Sequence, residues 1–159
     1  RRAQAFGMRV VAWNRRAREV PGVSNLPLEA VLAESDFLSV HLALTAETRG
    51  LLNAARIGSV KPGAVLVNTS RGGIVDEGAL AAALSSGRLY AAGIDVFAEE
   101  PVPVDNPLLS LPNVVLTPHI GSATAHTRVR MADIAATNAI AALQGKPMPH
   151  CVNPEVYAR

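Results

Sequence analysis

The chain has 159 residues, of which 49% are apolar and 18% are charged. This length allows at most one domain of ordinary size, about 100–200 residues, and the apolar content is ample for a hydrophobic core, which excludes a disordered chain. The net charge of +2 is too small to indicate nucleic-acid binding. No apolar run approaches the roughly 18 residues of a membrane span. The single cysteine, Cys151, excludes an internal disulfide.

The chain opens on residues typical of a helix end. Arg1 to Phe6 reads as the last turns of a helix, with Gly7 where a C-terminal glycine is expected. Short runs rich in Val, Ile and Leu then alternate with longer stretches of helical spacing, the pattern of β-α-β units. The predicted strands are Met8–Trp13, Phe37–Leu42, Ala64–Asn68, Tyr90–Val96 and Asn113–Leu116. The predicted helices are Leu28–Glu34, Asn53–Ser59, an Asp76 N-cap to Ser86, and about Ala123–Leu143.

The predicted strands are apolar along their whole length, as expected of parallel strands that helices cover on both faces. The pattern predicts an α/β fold with a doubly wound, Rossmann-like parallel sheet. Its first strand and glycine turn would lie before Arg1, so we expect an N-terminally truncated chain. Residues 1–145 form the predicted partial dinucleotide-binding domain, and residues 146–159 an extended tail that leaves it.

Three polar side chains follow the ends of three predicted strands. Arg71 follows the strand ending at Asn68, Glu100 follows the strand ending at Val96, and His119 lies shortly after Asn113–Leu116. Because ligands bind outside the carboxyl ends of parallel strands, we expect these three side chains to meet.

This trio suits the reduction of a 2-oxo acid. An arginine holds the substrate carboxylate with two parallel hydrogen bonds, a role for Arg71. Histidine titrates near neutral pH, so His119 would donate the proton to the carbonyl oxygen as the hydride arrives. Glu100 would orient the imidazole and stabilise its protonated form. Each residue alone is also explained by an exposed turn or a strand exit, so the prediction depends on their combination.

The sequence gives little support for a serine nucleophile site, a metal site or a phosphate-binding loop. No GxSxG nucleophile motif is present, and His119 and His126 have no acidic or cysteine neighbours at metal-ligand spacing, so we predict no metal site. The glycines at 72, 73 and 78 form neither GxGxxG nor a P-loop and indicate a strand-to-helix turn.

The residues after the first predicted strand indicate the cofactor. In a dinucleotide-binding unit this position carries an acid that binds the ribose hydroxyls, or arginines that bind a 2′-phosphate. Asn14 is uncharged, and Arg15 and Arg16 follow it. NADPH is therefore favoured over NADH, although an exposed basic turn explains the same residues.

Three segments resemble the D-isomer-specific 2-hydroxyacid dehydrogenases. They run from Ala64 to Glu77, from Gly93 to Pro101, and from Pro118 to Thr124, in matching order and spacing. The end of the chain, including Cys151-Val-Asn-Pro154, is most similar to the glyoxylate/hydroxypyruvate reductases and their 2-ketogluconate reductase branch.

The resemblance implies a hydride transfer from NAD(P)H to a small 2-oxo acid such as glyoxylate or hydroxypyruvate. It implies that Arg71 binds the carboxylate, that Glu100 supports the histidine and that His119 donates the proton. It also implies that the tail returns to a separate substrate domain, and that the protein forms a homodimer. The cofactor contacts that it implies are Ala43, Thr69, Arg71, Asp95, His119, Gly121 and Ser122, in addition to Asn14, Arg15 and Arg16, which are predicted from their place after the first strand.

Two other functions remain open. Some relatives of these enzymes are cofactor-sensing corepressors, so an inactive binding module of the same fold is one alternative, and an inactive remnant is the other. This chain by itself is expected to be inactive, because the glycine turn that binds the pyrophosphate is not among its residues. With one cysteine and no secretory signal, we expect a cytoplasmic location and no membrane or nucleic-acid partner.

Overall fold

The computed structural model describes residues 1–16 and 18–158. These residues form two compact units, Arg1–Pro118 and His119–Arg159, and each is described by itself. The division of the chain at residue 145 stays a prediction, and the last residue of the predicted tail, Arg159, lies outside the described residues.

The first unit contains the parallel strands that the sequence predicts. Its strands are β1 (Val10–Ala12), β2 (Val23–Asn25), β3 (Phe37–Val40), β4 (Val65–Asn68), β5 (Ala91–Ile94) and β6 (Val114–Leu116). Its helices are α1 (Arg2–Ala5), α2 (Leu28–Glu34), α3 (Ala54–Ser59) and α4 (Glu77–Ser85), with 3-10 helices at Gly72–Ile74 and Pro107–Ser110.

The main sheet has four parallel strands in the order β3-β4-β5-β6. Leu38 pairs with Leu66, and Leu66 with Ala92, so the strands lie in register with all carboxyl ends at one edge. Strands β1 and β2 form a separate parallel pair. The α/β class with a parallel sheet is therefore confirmed. β2 was not predicted, because Val23-Ser-Asn25 contains a single apolar residue.

One face of the main sheet carries the core. Leu66 of β4 packs in a cluster with Leu32 of α2, Ile57 of α3 and Leu80 of α4, all fully buried. Burial alternates along β3, β4 and β5, and Phe37 on the other face is 63% exposed. The predicted burial of both faces is therefore observed on one face only, since these three helices bury their side chains in a single core.

Capping residues set the helix ends, as predicted for Asp76 and Gly7, while Asn53, predicted as the first residue of its helix, is the N-cap of α3. The Asp76 side chain accepts from the Ala79 amide at 2.9 Å and begins α4, while Asn53 accepts from the Arg56 amide and begins α3. Gly7 has φ of 74° after α1, the left-handed conformation that ends many helices.

The second unit contains α5 (Ala125–Leu143) and the predicted tail. The tail is not simply extended, because Asn138 of α5 accepts from the His150 amide at 3.0 Å. The Tyr157 hydroxyl accepts from the Met148 amide at 3.0 Å, and Pro154–Tyr157 forms a short 3-10 helix. The bond to Asn138 holds the tail against α5, and the bond to Tyr157 lies within the tail.

Candidate active site

The loop that carries Arg71 is shaped by the buried amide at the end of β4. Asn68 is 1% exposed, and its Oδ1 accepts from the amide and the hydroxyl of Ser70 at 3.1 and 3.0 Å. Its Nδ2 donates to the Arg71 carbonyl at 3.0 Å. Because one side chain bonds both the Ser70 amide and the Arg71 carbonyl, the loop holds a defined conformation. The Arg71 side chain is exposed, and its Nη1 donates to the Ser70 carbonyl at 2.6 Å.

The loop after β4 lies directly against the segment after β5. A Cβ at Gly72 would lie 1.8 Å from the Phe97 carbonyl carbon and 2.1 Å from its oxygen, so only glycine fits. On the second segment the Phe97 amide donates to Glu100 Oε1 at 3.0 Å. The structure therefore brings together the two segments that carry Arg71 and Glu100.

Asp95 lies at the carboxyl end of β5 and is 4% exposed. Its Oδ1 accepts from the Thr117 hydroxyl at 2.6 Å, and its amide donates to the Asn68 carbonyl at 3.0 Å. A buried polar side chain needs such partners. Asp95 thus links the ends of β4 and β5 to the residue that follows β6.

His119 begins the second unit and is exposed. Its φ is 52°, a left-handed conformation that costs a residue other than glycine about 1–3 kcal/mol and that recurs at functional sites. Gly121 and Ser122 follow in a turn, closed by the Ala123 amide that donates to the Ile120 carbonyl at 2.9 Å. The turn leads into α5, where Thr124 accepts from the Thr127 amide.

The predicted adenosine side is exposed and basic. Asn14, Arg15 and Arg16 directly follow β1 and are all exposed. Arg15 Nη1 lies 3.1 Å from Glu47 Oε2, which also accepts from the Thr45 hydroxyl at 2.6 Å. The Thr45 hydroxyl, the Glu47 backbone amide and the Arg15 charge together lower the pKa of Glu47 below its ordinary value.

The other predicted cofactor residues lie on loops after strands. Ala43 follows β3, is exposed, and its carbonyl accepts from the Thr48 hydroxyl at 2.7 Å. Thr69 follows β4 and is exposed. The donor chemistry fits a dinucleotide, because the exposed guanidinium groups after β1 suit a phosphate and the loops after β3 and β4 open at the same sheet edge.

Sequence reasoning missed three residues that shape this site: Asn68, Gly72 and Glu47. A polar residue ending an otherwise apolar strand was the available signal for Asn68. Gly72 and Glu47 gave no such signal, because their partners are distant in sequence.

The described part of the chain contains no group of three or more His, Cys, Asp or Glu side chains that could hold a metal ion. Within residues 1–16 and 18–158, no helix combines the length and apolarity needed to cross a membrane.

Comparison with known proteins identifies the family these features match. The family model described as "D-isomer specific 2-hydroxyacid dehydrogenase, NAD binding domain" matches residues 1–121. The chain is 56% identical over 129 residues to the glyoxylate/hydroxypyruvate reductase B of Pectobacterium atrosepticum, covering 81% of this chain and 40% of that protein.

Solved structures agree with the sequence comparison. The TT0316 protein of Thermus thermophilus has a TM-score of 0.90 and 50% identity, covering 95% of this chain and 48% of that one. A D-isomer specific 2-hydroxyacid dehydrogenase of Xanthobacter autotrophicus Py2, in complex with NADPH and MES, has a TM-score of 0.77 and 39% identity, covering 96% and 64%. The chain spans about half the length of the curated relatives it matches. For three of them the matched part is 40% to 48% of the relative's own length.

Proposed function

The chain belongs to the D-isomer specific 2-hydroxyacid dehydrogenase family, and on that premise we propose that it supplies the cofactor-binding and proton-donating residues of a reductase for short 2-oxo acids. One observation carries the proposal. The loops bearing Arg71 and Glu100 touch at the carboxyl edge of the sheet, and both side chains are exposed. Glyoxylate and hydroxypyruvate are the proposed substrates, because relatives such as the glyoxylate/hydroxypyruvate reductase B of Pectobacterium atrosepticum bear those names.

The chemistry follows from the residue types. Bound NAD(P)H supplies the hydride that becomes the hydrogen on C2 of the product. The Arg71 guanidinium binds the substrate carboxylate through two parallel hydrogen bonds and orients the carbonyl. His119 donates a proton to the carbonyl oxygen, which becomes the hydroxyl. Glu100 acts through His119, accepting from the imidazole and stabilising its protonated form. Asp95 is proposed to contact the nicotinamide end, and Thr69, Gly121 and Ser122 to line the cofactor.

The proposal is tested by turnover of the complete gene product that contains these residues. Loss of nicotinamide absorbance with glyoxylate and hydroxypyruvate supports it. A protein that reduces no short 2-oxo acid, but binds a peptide partner in a cofactor-dependent way, contradicts it and favours the binding-module alternative.

The Arg71→Lys substitution distinguishes a bidentate contact between Arg71 and the substrate carboxylate from an effect of the positive charge alone. We expect the KM for glyoxylate to rise about tenfold, the equivalent of ~1.4 kcal/mol, because lysine keeps the charge but loses the paired geometry. The KM for NADPH should stay within about twofold. The control is Arg56→Lys, since Arg56 Nη1 also donates to a backbone carbonyl, that of Leu51 at 3.0 Å. Equal KM values for Arg71→Lys and the wild type would exclude a bidentate contact between Arg71 and the carboxylate.

We further propose that the cofactor is NADPH, held at its 2′-phosphate by Arg15 and Arg16. Replacing both with glutamine is expected to raise the KM for NADPH at least about tenfold, because each charge-assisted hydrogen bond contributes about 1.5–3 kcal/mol. The KM for NADH should change less than about twofold, since NADH has no 2′-phosphate. Arg9→Gln is the control, because Arg9 precedes β1 and also pairs with a glutamate, Glu34. Unchanged KM values for both cofactors would make the arginines an exposed turn only, and an equal rise for both would exclude the 2′-phosphate as the group that they bind. The homodimer and the cytoplasmic location remain predictions.

A further inference from the structure

Both carboxylate oxygens of Glu77 accept hydrogen bonds from one segment that is distant in sequence. Glu77 is the first residue of α4 and is partly buried. Its Oε1 accepts from the Ala98 amide at 2.6 Å, and its Oε2 accepts from Asn106 Nδ2 at 2.6 Å. Hydrogen bonds to an ionised carboxylate are shorter and stronger than those between neutral groups.

The two partners of Glu77 lie at the two ends of the loop that carries Glu100. Ala98 opens this loop and Asn106 closes it, where Asn106 Oδ1 accepts from the Leu108 amide at 3.0 Å and caps the 3-10 helix Pro107–Ser110. Between them, residues 99–105 contain no helix or strand. Glu77 therefore holds the loop at both ends.

Two consecutive backbone amides of this segment donate to two different carboxylates. The Phe97 amide donates to Glu100 Oε1 at 3.0 Å, and the next amide, of Ala98, donates to Glu77. The backbone of Phe97 also lies against Gly72, next to Arg71. A shift of Ala98 would therefore disturb both the Glu100 side chain and the contact with the Arg71 loop.

Building on the proposed function, we propose that Glu77 is a positioning residue for the reaction. Its bonds to Ala98 and Asn106 hold Glu100 in the conformation that supports the proton donor, and keep this loop against the one that carries Arg71. Displacements of about 1 Å at a reacting group can cost about 10²-fold in rate, so this clamp matters for turnover.

A reciprocal exchange of amide and carboxylate tests the clamp. In Glu77→Gln, the glutamine oxygen can still accept from Ala98, but its NH2 group faces the Asn106 NH2 group, so one bond is lost. In Asn106→Asp, two carboxylates face each other. In the double variant, glutamine donates to the aspartate, whose second oxygen still accepts from Leu108, and every bond is restored. We expect each single variant to lower kcat with glyoxylate about tenfold. The double variant should return kcat to within about threefold of the wild type.

The KM values and a control separate positioning from general loss of structure. The KM for NADPH should stay within about twofold in all variants, because the proposed 2′-phosphate contacts follow β1. Glu29→Gln also removes an acid from the first turn of a helix, α2, and should leave kcat unchanged.

Three outcomes overturn the role of Glu77: single variants with the kcat of the wild type, a double variant no more active than the singles, or an equal loss in Glu29→Gln. Each of these requires an active wild type. If the wild type reduces no 2-oxo acid, the proposed function itself is contradicted. This outcome differs from failure of the positioning role alone, in which the wild type is active.

Discussion

Replacement of His119 by asparagine is expected to lower kcat for 2-oxo acid reduction by about 10²–10⁴-fold, the usual contribution of a positioned general acid. Asparagine cannot donate a proton in this way. It does adopt the left-handed backbone readily, so the φ of 52° at this position is retained. The KM for NADPH should stay within about twofold, and the measurement is steady-state turnover of the complete gene product with glyoxylate.

His126→Asn is the matched control for this substitution. His126 is an exposed histidine in the first turn of α5, seven residues from His119 in sequence. Its replacement should leave kcat unchanged. If both variants lose activity to the same extent, or if His119→Asn remains fully active, His119 is not the proton donor.

Gly72→Ala has the second large expected effect, on both stability and activity. The new Cβ would overlap the Phe97 carbonyl, a backbone group that cannot rotate away as a flexible side chain can. Overpacking of a tight contact typically costs about 1–3 kcal/mol, and we expect a loss in the free energy of unfolding at the upper end of this range. Separating the two loops also moves Arg71 from Glu100, so kcat/KM should fall about 10²-fold.

Gly58→Ala provides the comparison that isolates the close approach. Gly58 lies within α3, its φ is not in the left-handed region, and a Cβ there would have no atom within 4 Å. Alanine favours a helix by about 1 kcal/mol over glycine, so this variant should be as stable as the wild type or more so. Urea denaturation and glyoxylate turnover check both variants. Equal stability of Gly72→Ala and the wild type would contradict the contact seen between the loops.

Much of the fold could be predicted because its signals are local. Helix α2 has the predicted bounds, Leu28–Glu34, since it follows Pro27 and its apolar residues have helical spacing. The predicted strand Tyr90–Val96 is longer than the observed strand Ala91–Ile94, because Tyr90 and Val96 have strand-forming side chains but lie outside the paired positions. Strand β2 was missed for the opposite reason: pairing with β1, and not its own side chains, makes it a strand.

The candidate site was predicted in part. Arg71 and Glu100 follow β4 and β5, as expected from the end of each apolar run, and the structure places their loops in contact. Ala43, by contrast, was assigned from family resemblance, and its role stays a prediction. The ion pair of Arg15 with Glu47 was not foreseen, since the two residues are 32 positions apart.

Local sequence signals were sufficient to predict the helices and strands other than β2, and the residue types that follow the strands, because caps, apolar runs and glycines act over a few neighbouring positions. Which loops touch and which side chains pair became clear from the three-dimensional arrangement alone. Glu77 and Asn106 are 29 residues apart, and Gly72 meets Phe97 because parallel strands bring their carboxyl ends to one edge. Such contacts join residues that are far apart in sequence, so they depend on how the strands pair across the sheet.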